Sequence, residues 1–309
     1  MLAVEPDVDQ PLLARRYRET LAGIAAAPER DAGVALGRHA ALLLLAARAG
    51  DTLGRIEGLL RTPGPGVYVM PAYAKTPYSI TLTRLAPFGV SSPRSFDPGA
   101  PPAVGSDAAA REIAELRTVG GVSAPGRTGD QTAAALFWNA SQPADYEALI
   151  KPAIEARKLD TLAITRLLAL DEMIGIDSSI VGVTFKDHYQ RWRPDAAIAG
   201  PHAAPADRDA GWLPLVRAPA SPDYPSSGGV GAGVMSVTLP RLYGLTGAIE
   251  MRNEQTQQGH RWDHAAALAD ELASARVWGG VHFRSAVDAG RRIGAGVATD
   301  ILDHQLLPR

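Results

Sequence analysis

Residues 160–194 read DTLAITRLLALDEMIGIDSSIVGVTFKDHYQRWRP, and this stretch decides the fold class. Leu162, Ile164, Leu167, Leu168, Leu170, Met173, Ile174, Ile176, Ile180, Val181, Val183 and Phe185 put apolar side chains on nearly every face of a helix. A helix that is apolar all round belongs at the centre of a bundle, so the reading predicts a core helix over about 160–191. Polar residues return only in KDHYQRWRP, where Pro194 ends the helix. On a continuous helix, Lys186 and Arg193 are two turns apart and project from one face. Two isolated cations at a helix end are ordinarily a solvated surface. These two terminate the helix expected to be most central, which makes them candidates for a site.

Working outward, alanine- and leucine-rich periodic stretches predict helices over about 9–26, 29–50, 107–119, 129–140 and 144–158. Ser106 or Asp107 caps the third of these. Further helices are expected from Ser226 or Ser227 to about Tyr243, over 262–277 and over 281–305. Two irregular stretches interrupt them: a Pro/Gly-rich insert at about 51–105, with room for short strands at Val67–Met70 or Ser79–Leu82, and a Pro/Ala/Asp-rich loop at about 194–225. No repeat of fixed period occurs. The expectation is one all-α domain over 1–309, built around a helical bundle with the site at one end and long loops at its rim.

Composition narrows the function. A net charge of −2 argues against a broad basic face for nucleic acid. The absence of cysteine excludes disulfides, thiolate metal sites and thiol nucleophiles. The start MLAVEPDVDQPLL has no basic segment followed by an apolar one, so no export signal is expected. Ala40–Ala47 is too short to span a bilayer. A soluble, cytoplasmic protein with no membrane span is the expectation, and association of identical chains is left open.

Two more segments place polar groups at helix boundaries. In Pro225-Ser226-Ser227-Gly228-Gly229-Val230-Gly231-Ala232-Gly233, a serine pair opening a helix supplies a hydroxyl and free backbone N–H groups to an anion. The glycines admit a ligand or another backbone, and tight helix packing explains them equally well. In Ser274-Ala275-Arg276-Val277-Trp278-Gly279-Gly280-Val281-His282-Phe283-Arg284, the glycine pair breaks one helix and starts the next. Arg276 and His282 then flank the break, and His282 becomes a candidate nucleophile or metal ligand.

The three segments together resemble the vanadium haloperoxidase and type 2 phosphatidic acid phosphatase superfamily. Its pattern is a lysine, six residues and Arg-Pro, then Pro-Ser-Gly-His, then an arginine, five residues and a histidine. Lys186 through Arg193-Pro194 fits the first element, and Arg276 through His282 fits the third. The wording Gly-Val-His-Phe-Arg and the lead-in from Trp212-Leu-Pro-Leu to Pro222-Asp-Tyr-Pro225-Ser226 are similar to the bacterial haloperoxidase-like branch. Weaker likeness extends to Ala46-Ala-Arg-Ala-Gly-Asp51 and Arg127-Thr-Gly-Asp-Gln-Thr132.

The resemblance implies that Lys186, Arg193 and Arg276 surround the oxygens of vanadate or phosphate. Ser226 would add a hydroxyl, and Ser227 and Gly228 backbone N–H groups. His282 would bind vanadium axially or attack phosphorus. The implied reaction is oxidation of halide by hydrogen peroxide with a vanadate cofactor.

Two positions depart from the pattern, the first being Ser227 at the family's glycine. The middle element reads Pro225-Ser226-Ser227-Gly228, which places Gly228 where the family has its second histidine. General acid–base help is commonly worth about 10²–10⁴ in rate, so anion binding is expected to survive better than ordinary turnover. His188, His202, Asp223 and Tyr224 are candidate replacements, and His188 reads as packing or surface. No carboxylate to orient His282 is apparent, and Asp288 is poorly spaced for it. Three alternatives stand beside the haloperoxidase reading: a vanadate-independent isomerase or rearrangement enzyme on a small organic molecule, an acid phosphatase, and a non-catalytic oxyanion binder.

Overall fold

The computed structural model describes residues 10–51, 54–141, 143–206 and 208–307. The expected helix start at residue 9 and the leader reading of residues 1–9 fall outside the described residues. Among those described, ten α-helices, two short 3₁₀ helices and one two-stranded sheet form the secondary structure. The chain divides into two compact units, Met1–Arg55 with Arg84–Ala86, and Ile56–Thr83 with Pro87–Arg309. The first holds α1 (Gln10–Ala22) and α2 (Pro28–Ala47). There Asp51 pairs with Arg48 at 2.6 Å and accepts from the Ala86 N–H at 3.1 Å. α2 turns Leu36 and Leu42–Leu45 outward, and no described helix is long and apolar enough to cross a membrane.

The second unit holds the bundle: α3 (Asp107–Val119), α4 (Gly129–Ala140), α5 (Pro143–Ala156), α6 (Thr161–Tyr189), α7 (Pro194–Ile198), α8 (Ser227–Arg241), α9 (Ala265–Trp278) and α10 (Arg284–His304). Side-chain oxygens fix the N-termini, as expected of Ser, Thr and Asp: Ser106 accepts from Ala109, Asp160 from Ala163 and Ser226 from Gly229. Thr128 and Gln131 form a reciprocal capping box on α4.

The innermost pair is α8 with α10, and it is built on glycine. A Cβ on Gly233 would lie 2.2 Å from the Arg291 carbonyl oxygen, and one on Gly290 would lie 2.3 Å from that of Ser226. A Cβ on Gly294 would meet the Val230 carbonyl at 2.0 Å. The two backbones therefore touch where side chains would hold ordinary helices about 8–10 Å apart. Tight helix packing accounts for these glycines. Gly228 is the exception.

α6 departs from the expectation of a helix buried all round. Leu162 and Leu168 are exposed, while Leu167, Leu170, Ile174, Ile180, Val181 and Phe185 form the buried stripe. The half that carries the site is the inner half. There the buried Asp177 accepts from the N–H groups of Phe88, Gly89 and Val90 at 2.7–3.0 Å, fixing the irregular segment against the helix.

Besides the two short 3₁₀ turns, Thr81–Arg84 and Pro93–Phe96, two elements were absent from the sequence reading. One is the five-residue α7. The other is an antiparallel hairpin, β1 (Ile249–Arg252) with β2 (Gly259–Trp262), in register Ile249 to Trp262. Buried Asn253 builds its turn by accepting from Gln255 and Thr256. The strands allowed for in the insert reduce to single bridges, Glu57 with Ser79 and Val67 with Arg191.

Candidate functional site

The site forms where three chain reversals meet. α6 ends at Tyr189, and Gln190 takes a left-handed conformation, φ 45°, closing the helix onto the Lys186 carbonyl. The chain then runs extended beside the insert, with Tyr68 N–H donating to Gln190 and Trp192 N–H to Gly66. Arg193 is the N-cap of α7, not a residue of α6. The expectation that Lys186 and Arg193 share a helix face is therefore corrected. They converge because the chain turns between them, and both are buried.

The loop before α8 supplies acceptors for both. Lys186 Nζ donates to the carbonyls of Pro222 at 2.8 Å and Asp223 at 3.3 Å. Arg193 donates through Nε to the Ser221 carbonyl at 2.7 Å and through a terminal nitrogen to Val281 at 2.6 Å. At the third reversal, Gly279 ends α9 and Gly280 sits at φ +74°. This leaves Arg276 in the last turn of α9 and His282 just before α10.

His282 is held from both sides. Its Nδ1 lies 2.8 Å from Asp223 Oδ1, and its Nε2 lies 3.3 Å from an Arg193 nitrogen. Arg193 can only donate, so Nε2 carries the lone pair and Nδ1 the proton. Burial, then Arg193, Lys186 and Arg276, hold the imidazole well below its ordinary pKa, so it is neutral. Asp223 is thus the orienting carboxylate that the sequence did not identify. It lies 59 positions away, where no helical spacing can reveal it. Burial pushes its own carboxyl up to about 7 against the pull of Arg193 and Lys186.

The other expected residues gather at the same place. Ser226 is fully buried, its Oγ accepts from Gly229 N–H, and its hydroxyl hydrogen stays available. Ser227 and Gly228 open α8, where N–H groups lack intrahelical acceptors, and Ser227 is exposed at the rim. Arg276 Nε is buried without a partner. Burial and then Arg193 lower the guanidinium to about 10, and burial followed by Arg193 holds Lys186 well below its ordinary value. Lys186 and Arg193 thus face Asp223, on which Glu112 and Arg191 act more weakly, and Arg276 adds a further positive charge beside Lys186 and Arg193, an excess that a multiply charged anion relieves.

Of the replacement candidates, only Asp223 lies in this cluster by direct contact. His188 is exposed and packs on Tyr189, and the Tyr224 hydroxyl donates to Gly99 at 2.7 Å. His202 lines a separate cleft of about 350 Å³ with Met70, Trp192, Asp195 and Trp212. The sequence reading also missed Tyr68. Its hydroxyl is buried without a partner, and burial raises it to about 12 despite the nearby Arg193.

The comparisons agree with this architecture. Residues 166–306 match the family model of the VCPO second helical-bundle domain. A crystal structure of the first bacterial vanadium-dependent iodoperoxidase superposes with a TM-score of 0.68 at 21% identity, over 84% of this chain and 64% of that one. The chain therefore spans somewhat less than two thirds of that protein. A holo-type bacterial vanadium-dependent chloroperoxidase gives a TM-score of 0.66 at 14% identity, over 95% of this chain and 78% of that one. No curated protein matches the chain by sequence. Residues 166–306 thus resemble the VCPO second helical-bundle domain, and the chain shares the all-helical fold of these bacterial vanadium-dependent peroxidases.

Proposed function

We propose that the protein is a haloperoxidase-like enzyme that binds a tetrahedral oxyanion, vanadate or phosphate, between Lys186, Arg193, Arg276, the N-terminus of α8 and His282. The observation that carries this reading is the buried charge imbalance, with the unpartnered Arg276 Nε at its edge. Buried donors without acceptors are costly, and an excess of buried cations is costlier still. An oxyanion offers acceptors to all of them. The donor set fits vanadate: cations and N–H groups for its oxygens, and one neutral imidazole for the metal.

Asp223 fixes the His282 tautomer so that Nε2 faces the cations with its lone pair. Lys186 and Arg193 are locked onto backbone carbonyls and cannot swing to solvent. The Ser226 hydroxyl and the N–H groups of Ser227 and Gly228 donate from the helix end, where the macrodipole adds to the attraction. When bound, vanadate supplies the Lewis-acidic centre that activates hydrogen peroxide towards halide. No imidazole stands at Gly228, so proton transfer there depends on solvent entering past exposed Ser227.

Peroxide-dependent bromination of a reporter dye, with and without orthovanadate, tests this directly. Vanadate-dependent activity that is lost in His282→Ala supports the reading. A folded protein that fails to bind vanadate in equilibrium dialysis sinks the vanadium part of it.

A second reading rests on the separate cleft lined by Trp192, Asp195, His202 and Trp212. Its aromatic and apolar walls suit a small organic molecule, and its volume is in the range of ligand pockets. This favours a vanadate-independent isomerase or rearrangement enzyme, for which turnover of an organic substrate without vanadate is the signature. Phosphatase chemistry has less support, because nothing at Gly228 can protonate a leaving group.

A further inference from the structure

Ser227 and Gly228 are the two places where the middle element departs from the superfamily pattern, and at 228 the structure shows what fills the space. A Cβ built on Gly228 would stand 2.8 Å from Arg276 Cδ, 3.0 Å from Cγ and 3.1 Å from Nε. The Arg276 stem therefore lies directly over the Gly228 backbone. Its neighbours behave differently: Cβ atoms on Gly229 and Gly233 would strike the backbone of α10, and one on Gly231 would meet nothing within 4 Å. Gly228 alone among these glycines borders a site residue. Its φ is not in the left-handed region, so backbone conformation does not demand glycine there. The requirement comes from Arg276.

We infer that Gly228 is a positioning residue for Arg276: the bare backbone lets the guanidinium lie across the start of α8. A permanently charged donor thereby stands at the side of the oxyanion where the superfamily pattern has an imidazole. This rests on the oxyanion reading and deepens it. Three observations fit together. The stem of Arg276 occupies the volume of the absent side chain. Its Nε is buried without a protein acceptor. The first N–H groups of α8 lie beneath it without intrahelical acceptors.

The ligand class follows from the chemistry. A guanidinium and backbone N–H groups donate but do not take up protons near neutrality. A fully ionised tetrahedral anion is favoured over its protonated form, and residue 228 contributes no proton to a leaving group. The departure at 228 then changes the setting of an arginine that the pattern keeps. Gly228→His by itself would displace Arg276 rather than add a relay to an otherwise intact site.

A double-mutant cycle with inorganic phosphate as the probe tests the inference. Titration calorimetry on the full chain compares wild type, Gly228→Ala, Arg276→Ala and the double variant. Gly228→Ala is expected to weaken phosphate binding by about 10-fold, the scale of one misplaced charged hydrogen bond. Arg276→Ala should weaken it at least as much, and the double variant no further than Arg276→Ala. Additive losses, or a Gly228→Ala variant that binds like wild type, overturn the inference.

Thermal unfolding without ligand separates this outcome from failure of the oxyanion reading. Gly228→Ala should raise Tm by a few degrees in the Arg276→Ala background, where alanine merely stiffens the first helical turn, and lower it with Arg276 present. The same shift in both backgrounds refutes the steric coupling. Absence of phosphate binding in wild type, with that coupling intact, sinks only the oxyanion reading.

Discussion

The 2.8 Å contact between His282 Nδ1 and Asp223 Oδ1 decides which imidazole nitrogen faces the three cations. A partner of this kind sets the tautomer and ring orientation of a histidine ligand, and its loss typically costs about 10–100-fold in metal affinity or activity. Asp223→Ala is therefore expected to weaken vanadate binding by that factor in equilibrium dialysis, with the far-UV spectrum of wild type retained. Unchanged affinity would remove Asp223 from the site. Lys186 supplies a pH dependence. Burial and Arg193 pull its pKa down in the free protein, and a bound anion pulls it back up. Between the two values binding draws in a proton, so phosphate affinity should fall with rising pH across the range where phosphate is already dianionic. Calorimetry in buffers of different ionisation enthalpy should show net proton uptake, and proton release would contradict this account.

The elements that place these residues are held together at the α8–α10 contact. A methyl group on Gly294 would need the space of the Val230 carbonyl, a rigid backbone atom. Gly294→Ala should therefore destabilise by about 3 kcal/mol, at the upper end of overpacking costs. Gly231 lies on the same helix pair with nothing within 4 Å of its would-be Cβ. Gly231→Ala should be neutral or stabilising by up to about 1 kcal/mol. Urea unfolding of the two variants measures both, and equal effects would show that helix propensity outweighs contact. The element scale also shows why the sequence misread α6. Apolar content alone gives no direction, and Leu162 and Leu168 are apolar residues that face outward. α7, at five residues, is too short for periodicity to register.

At the scale of the whole molecule, the buried cluster makes stability depend on the anion. Lys186 and Arg193 are buried beside a single buried carboxylate, Asp223, with Arg276 close enough to lower Lys186 further. A ligand that binds only the folded chain stabilises it by about 2.7 kcal/mol at a concentration 100 times its dissociation constant. Orthovanadate and phosphate should each raise Tm by several degrees, and chloride at matched ionic strength should not. Arg193→Ala should abolish the rise. A salt effect indifferent to the anion would point to general screening instead.

The sequence by itself determined what depends on near neighbours along the chain. Helix positions followed from periodicity, the starts of α3 and α8 from Ser106 and Ser226, and the α9–α10 break from Gly279-Gly280. The spacings of Lys186 to Arg193 and of Arg276 to His282 singled out the cations and the histidine, because each pair brackets one chain reversal. Only the tertiary structure decided how those reversals meet. It turned Arg193 off the helix it was expected to extend, because Gln190 adopts a left-handed conformation and the following residues pair with the insert at 66–68. It brought Asp223 to His282 across 59 positions. It also set Arg276 over Gly228, so that a position legible in sequence as a loss is in three dimensions occupied. Local spacing is written in covalent geometry, whereas these contacts depend on the close approach of backbones at α8 and α10, which no linear pattern encodes.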